Sequence, residues 1–301
     1  MTPPWTVGIV NYRSAVYLAW QLRILYEANP PRSFRLVIVD NSRPPERTEL
    51  ERLTAPYRQR YGNVELVFHE PQPGPASMQH GEGLELVRLR TDTPLLLVQD
   101  PDFFWVRHGH LTLLANLLGR GNLAVGAPYP KKVGLGDPWF PAAFGAAYRT
   151  EAVRRLSFAA RVSPESIAES FARWPIDEHG FTFDVGWQIR DALSDRPHYA
   201  FEQRIPENLG VRFGEHSFEW VAREYLHEGR PIAVHLFRGT FTGTWTTEFA
   251  DPEQAVPQAW QEARDRLGAH FHALVMKDCR LLARLGRRWL SRVGALARRE
   301  A

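Results

Sequence analysis

The first hundred residues alternate short apolar runs with longer stretches in which apolar positions return every three or four residues. Residues 6–10, 34–39 and 94–98 are dense in aliphatic and β-branched side chains and predict buried strands, and residues 64–68 alternate and predict another. Between them, residues 14–28 put Val16, Leu18, Leu22 and Leu25 at helical spacing, while residues 45–61 and 78–90 predict two further helices. Such a β-α-β-α order implies an α/β fold with a doubly wound, mostly parallel sheet flanked by helices. In that architecture ligands sit beyond the carboxyl ends of the strands, which here carry Asn11, Asp40 with Asn41, and Gln99 with Asp100.

The second half is more mixed. Residues 123–127, 142–148 and 231–237 predict strands, and helices are expected to begin near Thr150, Ser163 and Asp184. Residues 128–141, rich in Gly and Pro and carrying Lys131 and Lys132, predict a long loop of the kind that often serves binding. From Pro257 the pattern is helical, and Leu281, Leu282, Leu285, Trp289, Val293 and Leu296 form one stripe beside a face of arginines. The expected organisation is therefore a domain of residues 1–255 and a C-terminal helical extension, residues 256–301.

Charge sharpens that division. The net charge is +3, yet residues 277–301 hold eight Lys or Arg against Asp278 and Glu300, a local +6 that leaves 3 − 6 = −3 for the rest. A nucleic-acid enzyme spreads basic residues over its body, so no nucleic-acid partner is expected. The basic amphipathic helix suits an anionic membrane face, packing on the domain, or a second copy of the chain. Cys279 is the only cysteine, which excludes an internal disulfide and multi-cysteine metal sites. No stretch approaches the roughly 20 apolar residues of a membrane span, and the first apolar run is too short for a secretory leader. A cytoplasmic location is expected, with peripheral contact at the inner face of the membrane as the role open to the helix.

The sharpest local feature is Leu95-Leu96-Leu97-Val98-Gln99-Asp100-Pro101-Asp102, an apolar strand that stops at two carboxylates. Residues two apart in extended chain point the same way, so Asp100 and Asp102 can reach one Mn²⁺ or Mg²⁺, or a cation and a neighbouring ribose. A solvated turn is the alternative, because Asp and Pro are ordinary turn formers.

With its surroundings this segment resembles the family 2 glycosyltransferases of GT-A fold, over roughly residues 6–249. Val7-Gly8-Ile9-Val10-Asn11-Tyr12-Arg13-Ser14 is similar to the family's opening strand, Tyr12 and Ser14 matching its motif. Val37-Ile38-Val39-Asp40-Asn41-Ser42 is similar to the second strand, and Gln99-Asp100-Pro101-Asp102 stands where the family has Asp-x-Asp. Residues 143–152 resemble the acceptor-side strand and helix, and residues 176–185 the segment ending in a Glu-Asp pair. Here Phe183 replaces the glutamate, and His80 with Gly81 replaces an Ala-x-Asn-x-Gly pattern.

The resemblance implies an inverting, metal-dependent transfer of a hexosyl or deoxyhexosyl unit from a nucleoside-diphosphate sugar to a glycan or lipid-linked acceptor. Asp40, with Asn11 and Tyr12, would hold the nucleoside. Asp100 would serve the ribose or metal, and Asp102 the metal. Asp184 would be the base, with Asp177 and Glu178 in reserve, although Asp is also a good helix N-cap. His235 is a candidate last metal ligand or a buried, hydrogen-bonded histidine; Arg238 is suited to the diphosphate. Of the aromatics Phe103, Phe104, Trp105 and Trp139, core positions are commoner than stacking ones, and Trp139 is the candidate to touch a sugar. Two other readings compete: a degenerate fold that binds glycan or protein without turnover, and a sugar nucleotidylyltransferase, which normally has a Gly-rich loop where Asn11-Tyr12-Arg13-Ser14 stands. The same loop lacks the Gly-x-Gly-x-x-Gly of a dinucleotide-binding enzyme.

Overall fold

The computed structural model describes residues 4–44, 46–73, 76–128, 139–159, 185–204, 212–213, 216–217 and 222–236. In chain order the first half gives β1 (Trp5–Asn11), α1 (Ala15–Ala28), β2 (Phe34–Asp40), α2 (Glu46–Tyr61), β3 (Val64–Phe68), α3 (Ala76–Leu89) and β4 (Leu95–Gln99). Each was legible from its apolar pattern, with ends shifted by no more than two residues. The chain continues with β5 (Phe103–Trp105), α4 (His110–Gly119), β6 (Ala124–Pro128), β7 (Pro141–Arg149), α5 (Thr150–Val153) and α6 (Trp187–Leu193). Short strands β8 (His198–Ala200), β9 (Glu202–Arg204), β10 (Arg212–Phe213) and β11 (His216–Ser217) precede β12 (Ala222–His227) and β13 (Arg230–Leu236).

Seven strands form the main sheet in the order β3-β2-β1-β4-β7-β6-β8. All run parallel except β7, which is antiparallel to both its neighbours. The two-residue period sorts side chains onto two faces. Val7, Ile9, Leu36, Ile38 and Leu97 join Leu18, Leu22 and Leu25 of α1, Leu50 of α2 and Leu114 of α4 in one core. Val10, Val37, Val39, Leu96 and Val98 join Leu84 and Val87 of α3 and Ile189 of α6 in the other. The sheet is thus doubly wound, as the sequence pattern implied.

A second, antiparallel sheet, β5-β13-β12-β9, shares the first core through Trp105, Tyr225, Ile232 and Ala233. Its three-residue strand β5 follows directly after the acidic turn that ends β4, so the end of β4 is where the two sheets meet. Among the described residues no helix is long and apolar enough to cross a membrane. The helix expected near Ser163, residues 129–138 of the loop expected at residues 128–141, and the C-terminal extension lie outside the described residues. The helix expected from Asp184 begins at Trp187, and its cap position is Gly186 in the left-handed region at φ 76°. Asp184 itself lies outside the described residues.

Candidate active site

The acidic turn is fixed from three directions. Asp100 N donates to Phe144 O at 2.9 Å, extending the β4–β7 ladder by one residue, and Phe103 N donates back to Asp100 O at 3.1 Å. Gln21, a lone buried polar residue beside the apolar stripe of α1, donates through Nε2 to Asp100 O and to Phe103 O, each at 2.7 Å. Trp105 Nε1 donates to Gln99 Oε1 at 2.8 Å, closing the hairpin-like reversal from β4 to β5.

Strand β13 pairs with β5 so that His235 stands opposite Phe103. That register carries its imidazole to the acidic turn: His235 Nε2 lies 3.3 Å from Asp102 Oδ1 and 3.8 Å from Asp100 Oδ2. The ring is stacked on Phe144, with centroids 4.4 Å apart. One donor atom each from Asp100, Asp102 and His235 lie within 4.8 Å of one another. Asp102 and His235 are buried, at 2% and 3% exposure, while Asp100 faces partly outward. Beneath them Tyr225 is buried against Phe103 and Phe144. Burial first, and then the charges of Asp100 and Asp102, push its phenol well above the ordinary value against the opposing effect of Arg223, so it stays neutral.

The donor set fits a divalent cation. Two carboxylates and an imidazole are borderline-hard ligands suited to Mn²⁺ or Mg²⁺. An octahedral ion with bonds of about 2.1 Å sets neighbouring ligands about 3 Å apart, close to the 3.3 Å and 3.8 Å separations from His235. A divalent ion would bring positive charge to the buried Asp102 carboxylate.

At the ends of β1 and β2 a second arrangement forms. Asp40 Oδ1 accepts from Asn11 Nδ2 at 2.8 Å, from Ser42 N at 3.2 Å and from Ser42 Oγ at 2.7 Å. The Ser42 hydroxyl in turn accepts from Arg13 N at 2.9 Å, tying the loop after β1 to Asp40. Arg13 has φ 52°, a sparsely populated backbone state for a residue with a Cβ, held here by that bond and by the ion pair of its Nε with Glu46 at 3.2 Å. Its guanidinium lies over the Tyr12 ring, 5.4 Å from the centroid. Asp40 Oδ2 and Asn11 Oδ1 are buried without a hydrogen-bond partner among the described residues.

The structure therefore gathers Asn11, Tyr12, Asp40, Asp100, Asp102 and His235 along the carboxyl ends of β1, β2 and β4, with β13 supplying the last. Asp184, Asp177, Glu178, Arg238, Lys131 and Lys132 lie outside the described residues. Phe103, Phe104 and Trp105 are core, as the commoner reading had it. Trp139 is half-buried just before β7, its carbonyl oxygen 3.1 Å from His198 Nε2. Gln21 and Ser42 were missed; an amide interrupting the apolar stripe of α1 was the available signal for the first.

No family model and no curated protein matches this sequence. Several solved structures are similar at low identity. A mannosyltransferase from Pyrobaculum calidifontis, PcManGT, solved in complex with GDP-Man and Mn²⁺, is 18% identical over 57% of this chain and 52% of that one, with a TM-score of 0.43. S. aureus TarS is 14% identical over 54% of this chain and 52% of that one, with a TM-score of 0.41. An active-site mutant of LgtC is 15% identical over 86% of this chain and 99% of that one, with a TM-score of 0.48. The chain thus spans about half the length of the first two. Likeness at this level fixes neither activity nor substrate.

Proposed function

We propose that the chain is an inverting glycosyltransferase that moves a sugar from a nucleoside-diphosphate sugar to an acceptor hydroxyl with the help of Mn²⁺ or Mg²⁺. The observation that carries the reading is the convergence of Asp100, Asp102 and His235, from two sheets, beside the Asp40–Asn11 pair. The ordered motifs of the sequence support it, and so does a sheet whose ligand-binding edge coincides with them.

In this reading Asp102 and His235 hold the ion, and Asp100 serves the ion or the ribose. When bound, the ion supplies positive charge against the departing diphosphate. Asp40 Oδ2 and Asn11 Oδ1 are buried acceptors in need of a donor, which suits a nucleobase presenting a ring N–H or an exocyclic amino group. Arg238 would add a fixed cation at the diphosphate. Asp184 would accept the proton of the acceptor hydroxyl as its oxygen bonds to the anomeric carbon. The bond to the donor phosphate breaks on the opposite side, its electron pair leaving with the diphosphate, and the configuration inverts. The C-terminal basic helix would keep the enzyme near an acceptor on an anionic membrane face; removing residues 274–301 would then abolish sedimentation with anionic vesicles, and unchanged sedimentation would reject that role.

Calorimetric titration with UDP, GDP, CDP and dTDP, with and without Mn²⁺, tests the central reading. Metal-dependent binding of one nucleotide that disappears in Asp102→Ala is expected. Absence of binding by all four under both conditions would favour a non-catalytic binding module.

A further inference from the structure

Helix α3 approaches strand β1 more closely than side chains normally permit. A Cβ on Gly83 would sit 2.6 Å from Val10 Cγ1, and one on Gly8 would sit 2.2 Å from Val87 Cγ1. Helix and strand thus each contribute a glycine to the contact, which lets the two backbones close up. The amino-terminal part of α3 is also pinned to the end of β2, because Asn41 Nδ2 donates to Gln79 O at 3.0 Å. His80, three residues before Gly83, lies on the same helical face and is carried to the carboxyl ends of the strands. There its Nε2 stands 3.4 Å from Asp100 Oδ1.

Asp100 is therefore flanked by two imidazoles, His80 at Oδ1 and His235 at Oδ2. The two are not equivalent. His235 shares the converging donor set with both aspartates, and His80 is outside that set. We infer that His80 is a positioning residue for Asp100: its Nε2–H engages Oδ1 and turns Oδ2 toward the ion shared with Asp102 and His235. This rests on the metal reading above. Outer partners of this sort orient ligating carboxylates and typically change metal affinity by about 10–100-fold when removed. At 3.4 Å the contact is longer than a formed hydrogen bond, and it is expected to shorten when Asp100 takes up its ligand.

The test is Mn²⁺ binding by the full chain, measured from the free-ion electron paramagnetic resonance signal with Mn²⁺ alone. His80→Ala is expected to weaken binding by about 10–100-fold with an unchanged melting temperature. His80→Gln, which keeps an N–H donor, should recover most of the loss. Added to Asp100→Asn, His80→Ala should cost less than about twofold more, because both changes act on one group. Wild-type affinity in His80→Ala, equal losses in the Ala and Gln variants, or full additivity with Asp100→Asn would each overturn the role. No Mn²⁺ binding by the wild-type chain would instead overturn the metal site itself.

Discussion

Two nearly sealed carboxylates stand at the same edge of the main sheet, and their surroundings differ in kind. Asp40 is held by neutral donors from its own turn and the adjacent strand, all aimed at one oxygen. Asp102 faces an imidazole delivered by a strand of the other sheet. The first arrangement fixes a carboxylate through dipoles and leaves its other oxygen to accept from a ligand. The second assembles anionic and imidazole donors around one point, which is what a cation needs. On the proposed function, the two acids of one sheet edge would read different parts of one ligand, an organic base and a charged metal-diphosphate.

That division can be broken most decisively at Asp102. Asp102→Ala should remove Mn²⁺ binding and lower sugar transfer by about 10³-fold or more, roughly 4 kcal/mol, whereas Asp40→Asn should keep Mn²⁺ affinity within about twofold while weakening nucleotide binding. Equal loss of Mn²⁺ in the two variants, read by calorimetry, would erase the distinction. Next in size is Gly145→Ala, whose Cβ would meet the Phe103 ring at 2.4 Å. Overpacking of this kind costs about 3 kcal/mol. Since Phe103 pairs with His235, urea unfolding should show the destabilisation and Mn²⁺ titration a parallel fall in affinity, with nucleotide-base preference retained.

A smaller effect comes from a histidine that belongs to neither centre. His110 is stacked on Trp105, its Nδ1 is 3.1 Å from Arg107 O and its Nε2 is 3.2 Å from Asn29 Nδ2. With Nδ1–H donating to the carbonyl and Nε2 accepting from the amide, the ring is satisfied only when neutral. Burial holds its pKa down to about 3, against an ordinary 6.5. The unfolded chain therefore binds the extra proton first, and the stability linked to this group is complete above pH 6.5 and lost as the pH falls toward 3. Relative to His110→Phe, the wild type should lose about 2 kcal/mol between pH 6.5 and 5 in denaturant titrations; parallel curves would contradict it. The smallest expected change is Ser42→Ala, which removes one donor from Asp40 and should cost about 1 kcal/mol of stability. It should also weaken nucleotide binding and leave Mn²⁺ binding intact.

The sequence was most readable where structure is local. Strands β1, β2 and β4 bury both faces, so each appears as a continuous apolar run, whereas the edge strand β3 alternates, and the helices between them keep their period. Asp100 and Asp102 stood out because they end such a run. Strand β5 did not, since three aromatic residues have no period and become a strand only by pairing with distant β13. Helix α4 escaped although Leu111, Leu114, Leu117 and Leu118 have helical spacing and the polar Thr112 and Asn116 fall off that stripe. His80 entered only as a departure from a motif. Its nearness to Asp100 depends on how tightly α3 packs on β1, a tertiary fact that Gly8 and Gly83 permit but do not announce.

The pairing of β13 with β5 also sets a timetable. Both aspartates of the acidic turn are synthesised long before His235, and no local hairpin can substitute for the late strand. At roughly 5–20 residues per second, the ribosome needs on the order of ten seconds to make the intervening chain. During that interval the nascent protein carries two carboxylates without the imidazole that converges on them in the folded chain. On the proposed metal reading, capture of the ion would therefore wait until β13 has been made, and fragments that stop before β13 would lack the third ligand of the set.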